Sequence, residues 1–384
     1  MENEKKRGLT LGSISGFIVP TALALVCAWL FLNYGISPTD DASFGKRFLL
    51  VFVSLVVLII SVVMHIIIHE AGHLVFGLAS GYKLSSFRIF SFMWLKEDGK
   101  TVLKRLSVAG TAGQCLMTPP DMRDGKIPVV LFNLGGSLLN IISASVFLAA
   151  WFIIPHVMIL RDAVFIFAVC GYLLGLLNAI PIHTAVIDND GYNALMLSRT
   201  SSAMRAFWIQ MKINDSVACG ARLKDMPDEW FAMPSDRDMK NSMVAAIGVF
   251  CCNRLLDEGK FTAADSAMKH ILSIESGMVG LHRALLISDR MFIELIGRCR
   301  HTVIDEMLTD EQKRIVAQMS GYPGVIRTKY AYALLYEKDA QKAEQLLERF
   351  NDVAGSYPYK SDVESERELI AAAMRVSATA EENI

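Results

Sequence analysis

The first half of the chain is dominated by long apolar stretches rather than by alternating polar and apolar positions. They cover roughly residues 13–33, 48–79, 127–155 and 163–182. A helix needs about 20 apolar residues to cross a bilayer, so each stretch is long enough to span. The clearest is 48–68, which contains no Asp, Glu, Lys or Arg. Beyond about Gly191 the pattern changes to mixed polar and apolar positions, as in a soluble domain.

Two further patterns complete the predicted architecture. Between the second and third stretches, Ser86 to Phe92 partly alternates, Glu97-Asp98-Gly99-Lys100 reads as a turn, and Thr101 to Leu106 reads as a returning strand. The expectation is a β-hairpin at the membrane surface. The tail reads as all-helical: 241–256 and 262–274 flank Gly259, and 330–336 is followed by 340–353. These pairs resemble tetratricopeptide helix pairs, although Ala264 and Ala343 lie 79 residues apart, which is no multiple of 34. The predicted fold class is therefore α. A polytopic membrane domain of about four spans with a β-hairpin covers 1–192, and an all-helical domain that resembles tetratricopeptide pairs covers 193–384.

Composition sharpens this picture. Apolar residues make up 53% of the 384 positions, more than a soluble chain usually carries. The net charge of −1 gives nucleic acid no electrostatic hold, so the lipid bilayer is the expected partner. Seven cysteines, an odd count without a CxxC pair, argue against a disulfide framework and for a reducing compartment. Lys5, Lys6 and Arg7 precede a first stretch too long for a signal-peptide core and without a small-residue cleavage site, which reads as a retained span. Basic residues before span one and between spans two and three outnumber Lys46, Arg47 and Arg161 on the other side. The expected location is the cell membrane, multi-pass, with both termini and the C-terminal domain cytosolic.

Chemistry enters at the end of the second stretch, with His69-Glu70-Ala71-Gly72-His73. On a helix, histidines at i and i+4 share one face one turn apart, so both imidazoles reach one metal ion. The glutamate between them is placed to take a proton from a water whose pKa zinc lowers to about 7. Ionisable groups next to a span are costly and usually functional, which raises this pattern above its frequency in soluble helices. His65, one turn earlier, reads as a helix-contact histidine or a further ligand. A hydrolytic zinc site takes three protein ligands and leaves one position open. The third ligand must come from elsewhere, and Asp188, Asp190 and His183, after the fourth span, are the candidates.

Three motifs in order, His69 to His73, Gly136-Ser137-Leu138-Leu139-Asn140 and Asn178 to Gly191, resemble the site-2 protease family of intramembrane zinc proteases. The resemblance covers about residues 45–195. It implies Zn2+ on His69, His73 and Asp190, with Glu70 as the catalytic base and Asn140 and Asn178 as substrate-binding amides. It also implies a sheet element beside the metal that holds unwound substrate by strand pairing. Two departures stand out: the Asn178-to-Asp190 spacing is longer than the family's, which keeps Asp188 a rival, and Ser137 stands where proline is common. Gly110-Thr111-Ala112-Gly113-Gln114 reads as a glycine-rich turn or a gate. The implied function is hydrolysis of peptide bonds in membrane-spanning or membrane-held peptides, with the helical tail selecting a substrate or adaptor protein. The alternative is a catalytically silent, membrane-anchored scaffold. A transporter fits poorly, because four spans are few and unrelated by any repeat.

Overall fold

The computed structural model describes residues 21, 25, 43–97, 100–107, 111–155, 158–182 and 188–382. Apart from Thr21 and Leu25, the expected first span at 13–33 lies outside the described residues, as does His183. Close contacts divide the chain into two compact units, one containing residues up to Leu84 with Ile127–Thr200, the other containing Ser85–Lys126 with Ser201 onward.

The first unit is built on three helices: α1 (Phe44–Ala79), α2 (Val129–Ile153) and α3 (Met158–Ala179). Among the described residues, three helices are long and apolar enough to cross a membrane: Phe44–Ala79, Val129–Ile153 and Leu160–Ala179. At 1.5 Å per residue α1 is about 54 Å long, well beyond a hydrocarbon core of about 30 Å. Its rows of Val and Ile would suit a strand in water. In lipid every backbone group must bond within its own segment, so the helix wins. Phe48, Phe52, Ile59 and Ile60 are more than half exposed, a surface that lipid covers at no cost. The helix ends in a Schellman turn. Gly81 takes φ +85°, and Tyr82 N–H bonds to Gly77 O at 3.0 Å while Gly81 N–H bonds to Leu78 O. Where α1 meets α2, small residues bring the backbones together. A Cβ on Gly72 would sit 2.3 Å from Gly135 O, closer than any side chain permits.

The second unit combines a small sheet with the helical tail. The strands β1 (Lys83–Ile89), β2 (Phe92–Glu97), β3 (Lys100–Arg105) and β4 (Gly113–Thr118) take the order β3-β2-β1-β4. The two strands expected to form a hairpin, 86–92 and 101–106, fall largely on β1 and β3, which are not neighbours: β2 lies between them and pairs with both. The stretch 86–92 is not one strand but the end of β1, a turn at Phe90-Ser91 and the start of β2. The expected gate at 110–114 instead runs into β4, whose first residues are Gly113 and Gln114. Phe90 holds φ +52° with no glycine to ease it. Its N–H bonds to Ala112 O at 2.7 Å, and the buried Arg88 guanidinium donates to Phe90 O at 2.6 Å and to Gly113 O at 3.2 Å. The turn is set by this tertiary clasp rather than by turn-forming residues.

Met93 and Leu95 alternate with exposed Phe92 and Trp94 and join the core of the tail. Most of that core comes from α6 (Ser242–Asp257), α7 (Phe261–Ser273), α8 (Gly280–Ile296), α11 (Pro323–Ala331), α12 (Ala340–Ser356) and α13 (Lys360–Glu382). The remaining helices are α4 (Asp190–Arg199) in the first unit, then α5 (Ser201–Ala218), α9 (His301–Met307) and α10 (Asp310–Gln318). The first helix pair expected in the tail is present, turning at Gly259 with φ +71°; in the second, the stretch 330–336 is the end of α11 followed by a π-helical turn, Tyr332–Glu337, ahead of α12. Tail helices of 7 to 23 residues make a helical domain of uneven units. On α5, the Asp215 carboxylate accepts from Ser85 and, at 2.6 Å, from Thr118, which ties β1 and β4 to this helix. All six described cysteines are free thiols.

Candidate metal centre

The end of α1 and the start of α4 bring three ligand atoms together. His69 Nε2 lies 3.0 Å from Asp190 Oδ2, His73 Nε2 lies 3.4 Å from the same oxygen, and the two Nε2 atoms are 3.1 Å apart. Donors held about 2.0–2.2 Å from a tetrahedral zinc stand about 3.3–3.5 Å from one another, so these spacings suit that ion after small adjustments. His73 Nδ1–H donates to Phe132 O at 2.9 Å, which leaves its Nε2 as a lone pair. Asp190 Oδ2 is buried, and its alignment satisfies no hydrogen bond despite the close imidazoles. Lone pairs that converge without sharing protons well are what a cation resolves, and two imidazoles with one carboxylate are a zinc donor set. Without an ion, protonated His69 and His73 would take its place, holding the Asp190 carboxyl below the usual carboxylate range against the upward push of burial. His69 Nδ1, unlike its counterpart on His73, is buried with no hydrogen-bond partner among the described residues.

The local sequence explains how each ligand is placed. A Cβ at Gly136 would stand 2.6 Å from His69 Cε1, so glycine there leaves room for the imidazole. A Cβ at Gly191 would stand 2.1 Å from Ala179 O, so only glycine lets α4 start against the end of α3. Asn189, which sequence reasoning missed, makes that junction. Its Oδ1 accepts from Ile182 N at 3.0 Å and, as the N-cap of α4, from Tyr192 N at 3.0 Å. Its Nδ2 donates to Leu177 O at 2.8 Å and Ile180 O at 2.7 Å. Every capacity of this amide is used to seat Asp190 in the first turn of α4. An Asn directly before an Asp-Gly helix start is an N-cap signal, and it was the available clue. Asn189→Ala should lower melting stability by about 1–2 kcal/mol and weaken metal affinity about 10–100-fold. Paired thermal melts and zinc titrations check both; unchanged affinity would remove Asn189 from the account of the site.

The other predicted residues fall into place differently. Glu70 is buried beside His69 on α1, with 8% of its surface exposed. Asp188 is also buried, but the cluster of His, Cys, Asp and Glu ligand atoms holds Asp190 and not Asp188. His65 is fully buried and uses both ring nitrogens elsewhere, near Asn140 Oδ1 at 3.1 Å and Phe167 O at 2.9 Å. It is a helix-contact residue, and Gly171 clears the space for its ring. Both of these partners are acceptors, and a neutral imidazole has one N–H to give. Exchanging the oxygen and nitrogen of the Asn140 amide lets Nδ2 donate to His65 Nδ1 while His65 Nε2–H donates to Phe167 O. Either way one polar atom of the fully buried Asn140 amide stays without a partner among the described residues. Asn178 donates to Leu174 O in its own helix at 3.0 Å, which leaves its carbonyl oxygen for any other contact.

No protein-family model, curated protein or solved structure matches the chain.

Proposed function

We propose that the chain is an intramembrane zinc metalloprotease that hydrolyses peptide bonds in membrane-spanning or membrane-held peptides. The observation that carries this reading is the convergence of His69, His73 and Asp190 at the end of an apolar helix, with buried Glu70 next to the first ligand. His69, His73 and Asp190 would hold the ion. Zinc in such a set supplies Lewis acidity toward a carbonyl oxygen and makes water acidic enough to lose a proton near neutral pH.

The chain's own residues do the rest. Glu70 takes one proton as the water oxygen bonds to the substrate carbonyl carbon. It then returns that proton to the amide nitrogen as the carbon–nitrogen bond breaks, giving a carboxylic acid and an amine, which exchange one proton to become a carboxylate and an ammonium group. Asn140 is a fitting substrate contact, because one of its amide atoms has no other partner. Asn178 offers a carbonyl oxygen. A peptide helix shields its carbonyls in its own hydrogen bonds, so a substrate must unwind before attack, and strand pairing is the common way to hold an unwound peptide. In this reading the excess of basic residues in the loops places both termini and the helical tail in the cytosol. The tetratricopeptide-like helix pairs of that tail then serve to engage a substrate or an adaptor protein.

The test is cleavage of a fluorogenic peptide containing an apolar span by the full chain in detergent. Chelation should abolish cleavage and stoichiometric zinc should restore it. Cleavage that survives complete removal of metal would sink the proposal.

A further inference from the structure

A second polar site lies in the helical tail, inside the second unit. A cavity of about 260 Å³ opens among α6, α8, α11 and α13. It is smaller than the roughly 300–1,000 Å³ of ordinary small-molecule sites, a size for one side chain or one small amine. Four carboxylates line it, from Asp257, Asp289, Asp362 and Glu366.

Three of them are already served. Arg222 donates to Asp257 at 2.5 Å and also pairs with Glu368. The fully buried Arg327 donates to Asp289 at 2.5 Å and to Glu366 at 2.8 Å, and its guanidinium also lies over the Phe292 ring at 4.3 Å. Gly324 makes room for that pair, since a Cβ there would stand 2.7 Å from Glu366 Oε1. Asp362 is the exception: among the described residues it has no hydrogen bond and no ion pair. Burial, with the Glu366 and Asp257 carboxylates nearby, pushes its carboxyl up to about 7.

A second, independent observation points to a ligand. Ser361, next to Asp362 at the start of α13, lines the same cavity, is 2% exposed, and its buried hydroxyl has no partner. A buried hydroxyl is seldom left without one. Tyr322 and Tyr357 also line the space, and aromatic residues attract cations.

We propose that this cavity binds an organic cation, an alkylammonium or guanidinium group, with Asp362 as its counter-ion and Ser361 as a neutral acceptor. A metal ion fits worse. Metal ligands must converge within a few ångströms, and among the described residues the convergent set is His69, His73 and Asp190, not these carboxylates. An ammonium or guanidinium group can instead reach one carboxylate and one hydroxyl through its several N–H donors. Such a cation comes from a free small amine or from a Lys or Arg side chain of a bound peptide, and the two sources share the same recognition chemistry.

The test uses the full chain in detergent and isothermal calorimetry. The probes are butylammonium and butylguanidinium against neutral butyramide and anionic butyrate, then an end-blocked pentapeptide with a central Arg against the same peptide with norleucine. The cations should bind and the neutral and anionic isosteres should not. Asp362→Asn should weaken the cations about tenfold or more; Ser361→Ala should weaken them by a smaller factor. A larger gain from the Arg peptide than from butylguanidinium assigns the source to a peptide, and equal binding assigns it to a free amine. Wild-type protein that binds no cationic probe, or binds cation and butyramide alike, overturns the proposal without any variant. Binding unchanged in a folded Asp362→Asn variant overturns it as well. None of these outcomes depends on the metal centre, so the inference stands or falls apart from the protease reading.

Discussion

Glu70→Gln is expected to abolish peptide cleavage while leaving the metal in place. Glutamine keeps the size of the side chain and its hydrogen-bonding oxygen but cannot accept a proton to become an acid. General-base catalysis contributes about 10²–10⁴-fold, so cleavage should drop by that factor. The metal should stay because His69, His73 and Asp190 are the converging ligands and Glu70 is not among them. Measuring kcat and bound zinc on the same preparation separates two failures. Loss of cleavage together with zinc would make Glu70 a structural or ligand residue. Retained cleavage with retained zinc would show that no base is needed at that position, and the proposed mechanism would fall.

Gly191→Ala should be the most damaging single-methyl change in the first unit. The added Cβ would stand 2.1 Å from Ala179 O, with Ala179 C at 2.7 Å and Asn178 O at 3.0 Å. All three are backbone atoms, so no side chain can turn aside. The chain must open the junction between α3 and α4, which Asn189 closes with four hydrogen bonds. Overpacking of this kind costs about 1–3 kcal/mol. Asp190 follows directly on that junction, so zinc affinity should fall about 10–100-fold as well. Gly81→Ala is the natural comparison: nothing lies within 4 Å of its added Cβ, but its φ of +85° is strained for alanine. It should cost stability without touching zinc affinity. If Gly191→Ala binds zinc like the wild type, the close approach is not what seats the ligand.

The two largest features were legible because their signals are local. Three of the apolar stretches became helices long enough to span, since in lipid length and apolarity alone force a helix. His69 and His73 share a helix face by spacing alone. The partnership of Asp190 with them is a tertiary fact, reached through motif order and separated from Asp188 only once the end of α3 and the start of α4 could be placed. Asn189 carries a local N-cap signal, but its bonds to Leu177, Ile180 and Ile182 at the end of α3 are tertiary and leave no mark in the sequence. The sheet was harder. A turn at Phe90-Ser91 has no Gly, Asn or Pro to announce it, and the buried Arg88 that clasps it draws its partners from across 23 to 25 residues of chain. A glycine-containing segment read as a turn or gate became the start of an ordinary strand once β1 was available to pair with it. The grouping of this sheet with the tail was hidden for the same reason. Met93 and Leu95 look like any alternating apolar pair until the helices that cover them are known.

Three residues forming one metal site carry the proposed chemistry, so metal content is its most direct test. Purified full-length protein, loaded with zinc and dialysed, should carry about one zinc per chain. His69→Ala and Asp190→Ala should lose it, while Asp188→Asn should keep it. Wild-type protein that retains no metal, or Asp190→Ala that retains as much as the wild type, would contradict the assignment of the site.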